Sequence, residues 1–507
     1  MDGSFLGIDL GTSEVKALLV DEQGRPQGAG GSPLAASRPH PRWSEQAPED
    51  WWQATLAAID RLREAHPAAL GAVRGIGLSG QMHGATLLDA ADRPLRPAIL
   101  WNDTRCDREC LELMEREPGT QRITGNLVMP GFTAPKLLWV ARNEPEVFAR
   151  AASVLLPKDF LRLRLTGEKV SEMSDAAGTL WLDVARRDWS NAMLEATRLS
   201  RAHMPRLVEG SEPSGQLLRE LAARWGIRQP AIVAGGGGDN AASAVGIGAV
   251  APGAGFISLG TSGVLFVVND RFLPNPARAV HAFCHALPRR WHQMSVMLSA
   301  ASCLRWVTQL VGCASEAEAA AEAERLDASA RAQAPVFLPY LSGERTPHND
   351  PAAQGVFVGL THATGRAALV YAVLEGVTFG LADGLAALEA AGTHARALSL
   401  VGGGSRSPFW AQMIADVLQV SVQAHQGGET GAALGAARLG HLACGGDEAE
   451  VCTRPPVAST YVPSAAGAAV RAERLGRFRE LYRAVAPLWK RDDTDAHGFN
   501  APTRTQS

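Results

Sequence analysis

Long apolar runs are missing from this sequence. No uninterrupted stretch reaches the roughly 18 residues that a membrane span requires, so no membrane partner is expected. An excess of either charge is missing too. With 49 basic and 52 acidic residues the formal net charge is −3, which offers no basic surface to nucleic acid or acidic lipid. The seven cysteines (Cys106, Cys110, Cys284, Cys303, Cys313, Cys444 and Cys452) are odd in number and scattered, and no spacing matches a paired CxxC metal site. No leader peptide is recognisable, because Met-Asp-Gly-Ser runs straight into a strand pattern. These absences together give the expectation of a soluble, cytoplasmic protein. Lysine is scarce as well, at 5 of the 49 basic residues, and is read as codon bias rather than function.

What is present is a repeat. Ile8-Asp9-Leu10-Gly11-Thr12-Ser13-Glu14-Val15 returns 249 residues later as Ile257-Ser258-Leu259-Gly260-Thr261-Ser262-Gly263-Val264, with six of the eight positions identical. Each copy lies between β-rich apolar runs, so each reads as a hairpin with a tight Gly-Thr-Ser tip. Such a tip exposes backbone N–H groups and two hydroxyls, which suits phosphate oxygens. The repeat divides the 507 residues into two domains, 1–248 and 249–490, followed by a polar tail, 491–507, expected to be disordered. Strand patterns alternate with helical ones along both halves, which gives an α/β protein with a mixed central sheet in each half.

Four constellations carry chemistry. In the first hairpin, Thr12 and Ser13 are placed to donate to phosphate, Lys16 to neutralise it, and Asp9, at a strand end, to hold Mg²⁺ through water. The bland alternative is an Asx-type turn closing the hairpin. The second is Gly235 to Asn240. A glycine run after a buried strand allows a ligand to approach the backbone, and Asp239, at a helix start, is favoured as an anion and so as a proton acceptor. An ordinary N-cap Asp is the alternative. The third, Gly402 to Ser407, is a side-chain-free surface suited to adenosine or an α-phosphate, and lacks the Lys-Ser/Thr ending of a P-loop. The fourth joins two strand ends: Gln81, Met82 and His83 at one, Asn102, Asp103 and Arg105 at the other. Their polar groups could bind the hydroxyls of a small polyol, with Trp43 and Trp101 as an apolar wall. The His281-Ala-Phe-Cys-His285 segment is read as structural, because no fourth metal ligand is evident.

Longer stretches add specificity. Gly80-Gln81-Met82-His83-Gly84-Ala85-Thr86-Leu87-Leu88-Asp89, Leu100-Trp101-Asn102-Asp103, Thr124-Gly125-Asn126, Pro130 to Lys136, Leu156-Pro157-Lys158-Asp159, Ser174 to Thr179 and Tyr340 to His348 resemble the FGGY family of carbohydrate kinases, from Phe5 to about Trp489. The resemblance implies the actin-like ATPase fold, two RNase H-like domains around a central cleft. It implies ATP-dependent phosphorylation of D-xylulose at O5, with ATP and Mg²⁺ as cofactors, a cytoplasmic setting, and no nucleic-acid or membrane partner. A homodimer is compatible with it. By motif position Asp239 is the catalytic base, and Met82 and His83 contact the sugar. Asn102 and Asp103 complete the sugar side. Thr12, Ser13, Lys16, Gly260 and Thr261 approach phosphate, and Gly403 and Gly404 approach the nucleotide. Two features depart from the pattern: Glu14 stands where a small residue is usual, and the glycine run before Asp239 is one residue longer than the usual three. A kinase of the same family acting on another pentulose or a polyol, an actin-like ATPase that binds protein partners, and a catalytically dead sugar sensor are the rival readings.

Overall fold

Both Gly-Thr-Ser segments are the tips of β-hairpins. The computed structural model describes residues 3–426 and 431–495. The first hairpin pairs β1 (Ser4–Leu10) with β2 (Glu14–Asp21), and β3 (Pro26–Pro33) extends it antiparallel. After helix α1 (Pro48–Ala65), strand β4 (Val73–Gly80) pairs parallel to β1, with Asp9 opposite Ser79. Trp51, Trp52, Leu56, Ile59 and Leu62 bury one face of α1 against this sheet, as the 3.6-residue period requires.

Residues between β4 and the last strands form a smaller layer that includes helices α2 (Thr133–Asn143), α3 (Pro157–Thr166) and α4 (Met173–Ala177). The sheet is completed by β5 (Pro213–Gln216), β6 (Ile232–Ala234) and the short β7 (Gly237–Gly238), in the order β5-β6-β4-β1-β2-β3 with β7 beside the end of β4. Helix α5 (Asp239–Gly246) follows at once.

The second half repeats this plan. Strands β8 (Ala254–Leu259) and β9 (Gly263–Asn269) form its hairpin. Next come β10 (His281–Cys284), β11 (Trp291–Met297), helix α6 (Ala301–Leu310) and the long helix α7 (Arg366–Glu389). Then follow β12 (Ala397–Val401), α8 (Pro408–Leu418), β13 (Ser421–His425), α9 (Gly431–Ala443), β14 (Val457–Tyr461) and α10 (Ala468–Asp495). The strand order is β10-β11-β9-β8-β12-β13-β14, with β12 and β13 parallel to β8. In both halves, therefore, a hairpin is flanked by a third antiparallel strand on one side and two parallel strands on the other. The second tip is one residue tighter. Leu10 pairs with Val15, whereas Leu259 pairs with Gly263.

Helix α7 is long and apolar enough to resemble a membrane span, but nine-tenths of that stretch is buried in the core of the second half. Helix α9 leaves its own half and lies on the first sheet, where strand glycines admit it. A Cβ on Gly77 would stand 1.7 Å from the carbonyl of Ala436, and one on Gly7 1.9 Å from that of Ala433. Helices α5 and α9 cross equally closely. A Cβ on Gly435 would stand 1.7 Å from the carbonyl of Ala242. The start of the expected disordered tail needs correction. Helix α10 runs on through Asp495, past Arg491, and residues 496–507 lie outside the described residues. Thr430, read as the start of the helix that is α9, also lies outside them.

Candidate active site

Two cavities adjoin between and behind the halves. The first, of about 810 Å³, has walls from both: Asp9, Glu14, Lys16 and Asn240 on one side, Ser258, Val401, Gly402 and Gly403 on the other. The second, of about 890 Å³, lies within the second half and is lined by Gly403, Gly404, Ser407, Arg305 and Thr308. Gly403 belongs to both. A Cβ there would meet nothing within 4 Å, so the protein's own packing does not require glycine at that position. Gly402 differs, because φ is +89° and a Cβ would press on the Leu259 carbonyl.

The hairpin tips stand at the rim, with Ser13 and Thr261 exposed. Thr12 is held by a chain of side chains. Its hydroxyl donates to Oε1 of Gln81 and accepts from Nε1 of Trp101, both at 3.0 Å. Gln81 donates to Gln46, which donates to the Thr12 carbonyl at 2.7 Å and accepts from Trp51. The hydroxyl is thus occupied within the protein. Lys16 lies 3.8 Å from Glu14, and both are solvent-accessible. Asp9, at the end of β1, has its pKa raised by burial and by Glu14, with Lys16 acting against the rise. Among the described residues no group of three His, Cys, Asp or Glu could hold a metal by itself.

The residues expected to bind sugar form a second group. His83 ends the β4 segment in a left-handed conformation, φ 69°. Its Nδ1 is 2.6 Å from the Gly178 carbonyl. A carbonyl only accepts, so Nδ1 carries the proton and Nε2 is left as an acceptor. Burial first, and then Lys136 and Arg345, lower the His83 pKa to about 3, so the ring is neutral. Met82 is buried and packs on Gly238, where a Cβ would stand 2.9 Å from its sulfur. Asn102 has a buried Oδ1 with no hydrogen-bond partner, an acceptor open to a ligand. Trp101 beside it is about half exposed.

Asp103, also expected on the sugar side, is fully buried. Its oxygens accept from the Ser44 amide at 2.6 Å and from the Arg105 amide and guanidinium, so it braces the corner. Trp43 belongs to the same brace, with the Arg105 guanidinium 3.7 Å from its ring centre. His281 stacks on Phe283 within the aromatic cluster that also holds Phe132 and His83.

Asp239 is the first residue of α5, and Gly238 is the N-cap. Its Oδ1 accepts from the Asn240 amide at 2.7 Å and from the Asn240 side chain at 2.9 Å. Among the described residues Oδ2 accepts no hydrogen bond. Burial, and then the charge of Asp9, raise the Asp239 pKa to about 6, against the pull of Asn240. Sequence reasoning gave no role to Lys136. It is fully buried and donates to the carbonyls of His83 and Gly131 at 2.9 and 2.8 Å, which fixes the strained His83 backbone. The signal was a lysine inside an apolar helix of a chain that has only five.

Models of the FGGY family of carbohydrate kinases match both halves, the N-terminal domain over residues 4–246 and the C-terminal domain over 255–444. The chain belongs to the FGGY family of carbohydrate kinases, and its fold is the actin-like ATPase fold of sugar kinases. Among its relatives, the xylulose kinase of Escherichia coli (strain K12) is 55% identical over 96% of this chain and 99% of its own length. That of Bacillus subtilis (strain 168) is 36% identical over 94% of this chain and 95% of its own length. A crystal structure of a xyloylose kinase from Brucella ovis superposes with a TM-score of 0.93 at 56% identity, covering 96% of this chain and all of that one.

Proposed function

We propose that this chain catalyses the ATP-dependent phosphorylation of D-xylulose at O5, giving D-xylulose 5-phosphate and ADP. The observation that carries the reading is the position of Asp239. It follows Gly238, on which Met82 packs, and the charge of Asp9 acts on its carboxylate, so it adjoins residues of both the sugar side and the phosphate side. With a pKa of about 6, Asp239 is ionised at neutral pH yet basic enough to take a proton from a hydroxyl. The Nε2 of His83 and Oδ1 of Asn102 are acceptors for sugar hydroxyls, and Trp101 walls the site. The triphosphate extends through the cavity shared by the two halves, adenosine lies in the second cavity, and bare Gly403 is the surface between them. The hairpin amides, with Lys16, neutralise charge on the transferring group.

Asp9 and Glu14 bring two carboxylates to the cleft beside Lys16, and the charge of Asp9 reaches Asp239, a setting that fits a divalent cation brought in with the nucleotide. Asp9 would hold Mg²⁺ through water, and the ion would offset phosphate charge. A cytoplasmic location completes the proposal. It is tested by ADP release over a panel of ketoses and polyols, with a no-sugar control. D-xylulose should give the highest kcat/KM. A higher value for ribulose or a polyol would reassign the substrate, and full ATPase activity without sugar would overturn the kinase reading.

A further inference from the structure

Five ionisable side chains lie fully buried behind the glycine run that leads to Asp239: Lys158, Asp159, Arg162, Glu172 and Asp175. The Nζ of Lys158 is 2.9 Å from Asp159, 3.0 Å from Asp175 and 3.4 Å from Glu172. Arg162 donates to Asp159 at 2.5 Å and to the Val170 carbonyl at 2.6 Å. Three carboxylates face two cations. Burial raises the Asp175 pKa to about 8, so at neutral pH this acid keeps its proton and the cluster balances.

Such a cluster is a poor source of stability, because desolvation offsets the attraction between its charges. Two of the contacts that leave it reach the same loop. Arg162 donates through Nη2 to the carbonyl of Gly235, the first residue of the run. Ser174 donates its hydroxyl to Glu172 at 2.8 Å and accepts from the amide of Gly238, the last residue of the run, at 3.0 Å. The loop between these anchors has no side chains with which to fix itself, and Gly236 is left-handed at φ +81°. Backbone bonds hold it as well: the Gly235 and Gly236 amides donate to the carbonyls of Glu212 and Gly210 at 2.8 and 2.9 Å, and Gly237 and Gly238 pair with Ser79 and Gly80. Asp239 is the next residue. Gly238 is also the surface on which Met82 packs.

We propose that Arg162 and Ser174 are positioning residues for the base: they fix the two ends of the Gly235–Gly238 loop and thereby set where the Asp239 carboxylate stands. The proposal rests on Asp239 being the base. Displacement of a reacting group by a fraction of an ångström is costly, whereas ATP binding, which depends on other residues, is not affected.

The test is a double-mutant cycle. Ser174→Ala removes the acceptor for the Gly238 amide but leaves Glu172 its contacts with Lys158 and with the amides of Ser174 and Asp175. Arg162→Lys keeps the charge and loses the bond to Gly235. Each should lower kcat by about tenfold with the KM for ATP unchanged, as expected for a misplaced rather than missing group. Each should also speed hydrogen exchange in the peptide containing residues 235–239. Placed on Asp239→Asn, neither should lower kcat further, because a residue that acts only through Asp239 has nothing left to position. Undiminished kcat with unaltered exchange in both single variants would overturn the proposal, and so would multiplicative losses in the double variants. Should Ser174→Ala fail to fold, Arg162→Lys carries the same cycle. Wild-type turnover in Asp239→Asn alone would instead refute the base assignment, a different outcome from any of these.

Discussion

Asp239 combines an unfavourable environment with a chemical task. Burial and the nearby Asp9 raise its pKa to about 6, and only Asn240 opposes them. The base must be unprotonated, so kcat/KM for the sugar should rise with pH through about 6 and then level off with respect to this group. Replacement by Asn should lower turnover roughly 10²–10⁴-fold. The same shift has a stability consequence. The folded state holds this proton more tightly than the unfolded chain, whose carboxyl titrates near 3.8. Ionisation of Asp239 therefore costs stability as pH rises from about 4 to 6, and the full cost is present above 6. Asp239→Asn should accordingly be more stable than the wild type at pH 7, by roughly 1–3 kcal/mol, with the difference gone below pH 4. Urea denaturation at the two pH values measures it, and equal midpoints at pH 7 would contradict the raised pKa. His83 makes the opposite prediction for pH. Its ring is neutral throughout the working range, so it contributes no titration to the profile. His83→Ala should still raise the KM for xylulose about tenfold through loss of a buried acceptor, and move the KM for ATP far less. Equal shifts in both constants would remove it from the sugar site.

At the scale of elements, glycine serves two different purposes that substitution separates. Gly435 is required by packing, because α9 and α5 touch through their backbones there. Gly435→Ala should therefore destabilise the protein by about 1–3 kcal/mol or more, the usual cost of overpacking, seen as an earlier urea midpoint. Gly403 has open space where a Cβ would go. Gly403→Ala should leave the midpoint unchanged and raise the KM for ATP. A destabilised Gly403→Ala with normal ATP kinetics would take this residue out of the nucleotide surface. The sequence marked Gly403 as part of a bare nucleotide surface, but carried no sign that packing requires Gly435. It was clearer about the strands and hairpins, whose alternating apolar pattern and Gly-Thr-Ser tips are local signals. It was clear also about the glycine run and Asp239 at a helix start. What it could not express was contact across the chain. The Thr12 hydroxyl is taken by Gln81, 69 residues away. Adjacent Asn102 and Asp103 face different partners, one open and one saturated, because the turn of the backbone at that corner separates their side chains. Lys158 showed only within a stretch that resembles the family and Arg162 not at all, and nothing in their spacing pointed to burial. The tail from Arg491 was judged on polarity alone, whereas α10 extends past that point.

At the scale of the molecule, the two hairpin tips pose a geometric requirement. They belong to different halves and stand at the rim of the cavity that both halves line, with Ser13 and Thr261 exposed to solvent. We predict that the cleft narrows when both tips hold one triphosphate. The close crossing of α5 and α9 ties the halves together at the base of the cleft, where glycine and alanine backbones meet, and on the other side Asn126 bonds to the backbone of Ala282. On the proposed assignment the sugar-side residues lie in the first half and the nucleotide surface in the second, so the two substrates together would have contacts that favour a closed arrangement over an open one. Closure that depends on sugar would also keep water, the competing nucleophile, from the γ-phosphoryl group. D-xylulose with a non-hydrolysable ATP analogue should therefore reduce the radius of gyration measured by solution X-ray scattering, relative to the ligand-free protein. Either ligand alone should give a smaller change. Hinge motion of this kind belongs to the microsecond-to-millisecond range, so scattering reads the shifted population and not the motion itself. Identical curves with and without both ligands at saturation would sink the closure model and leave a preformed site, with the tips reaching the phosphates by local loop movement alone.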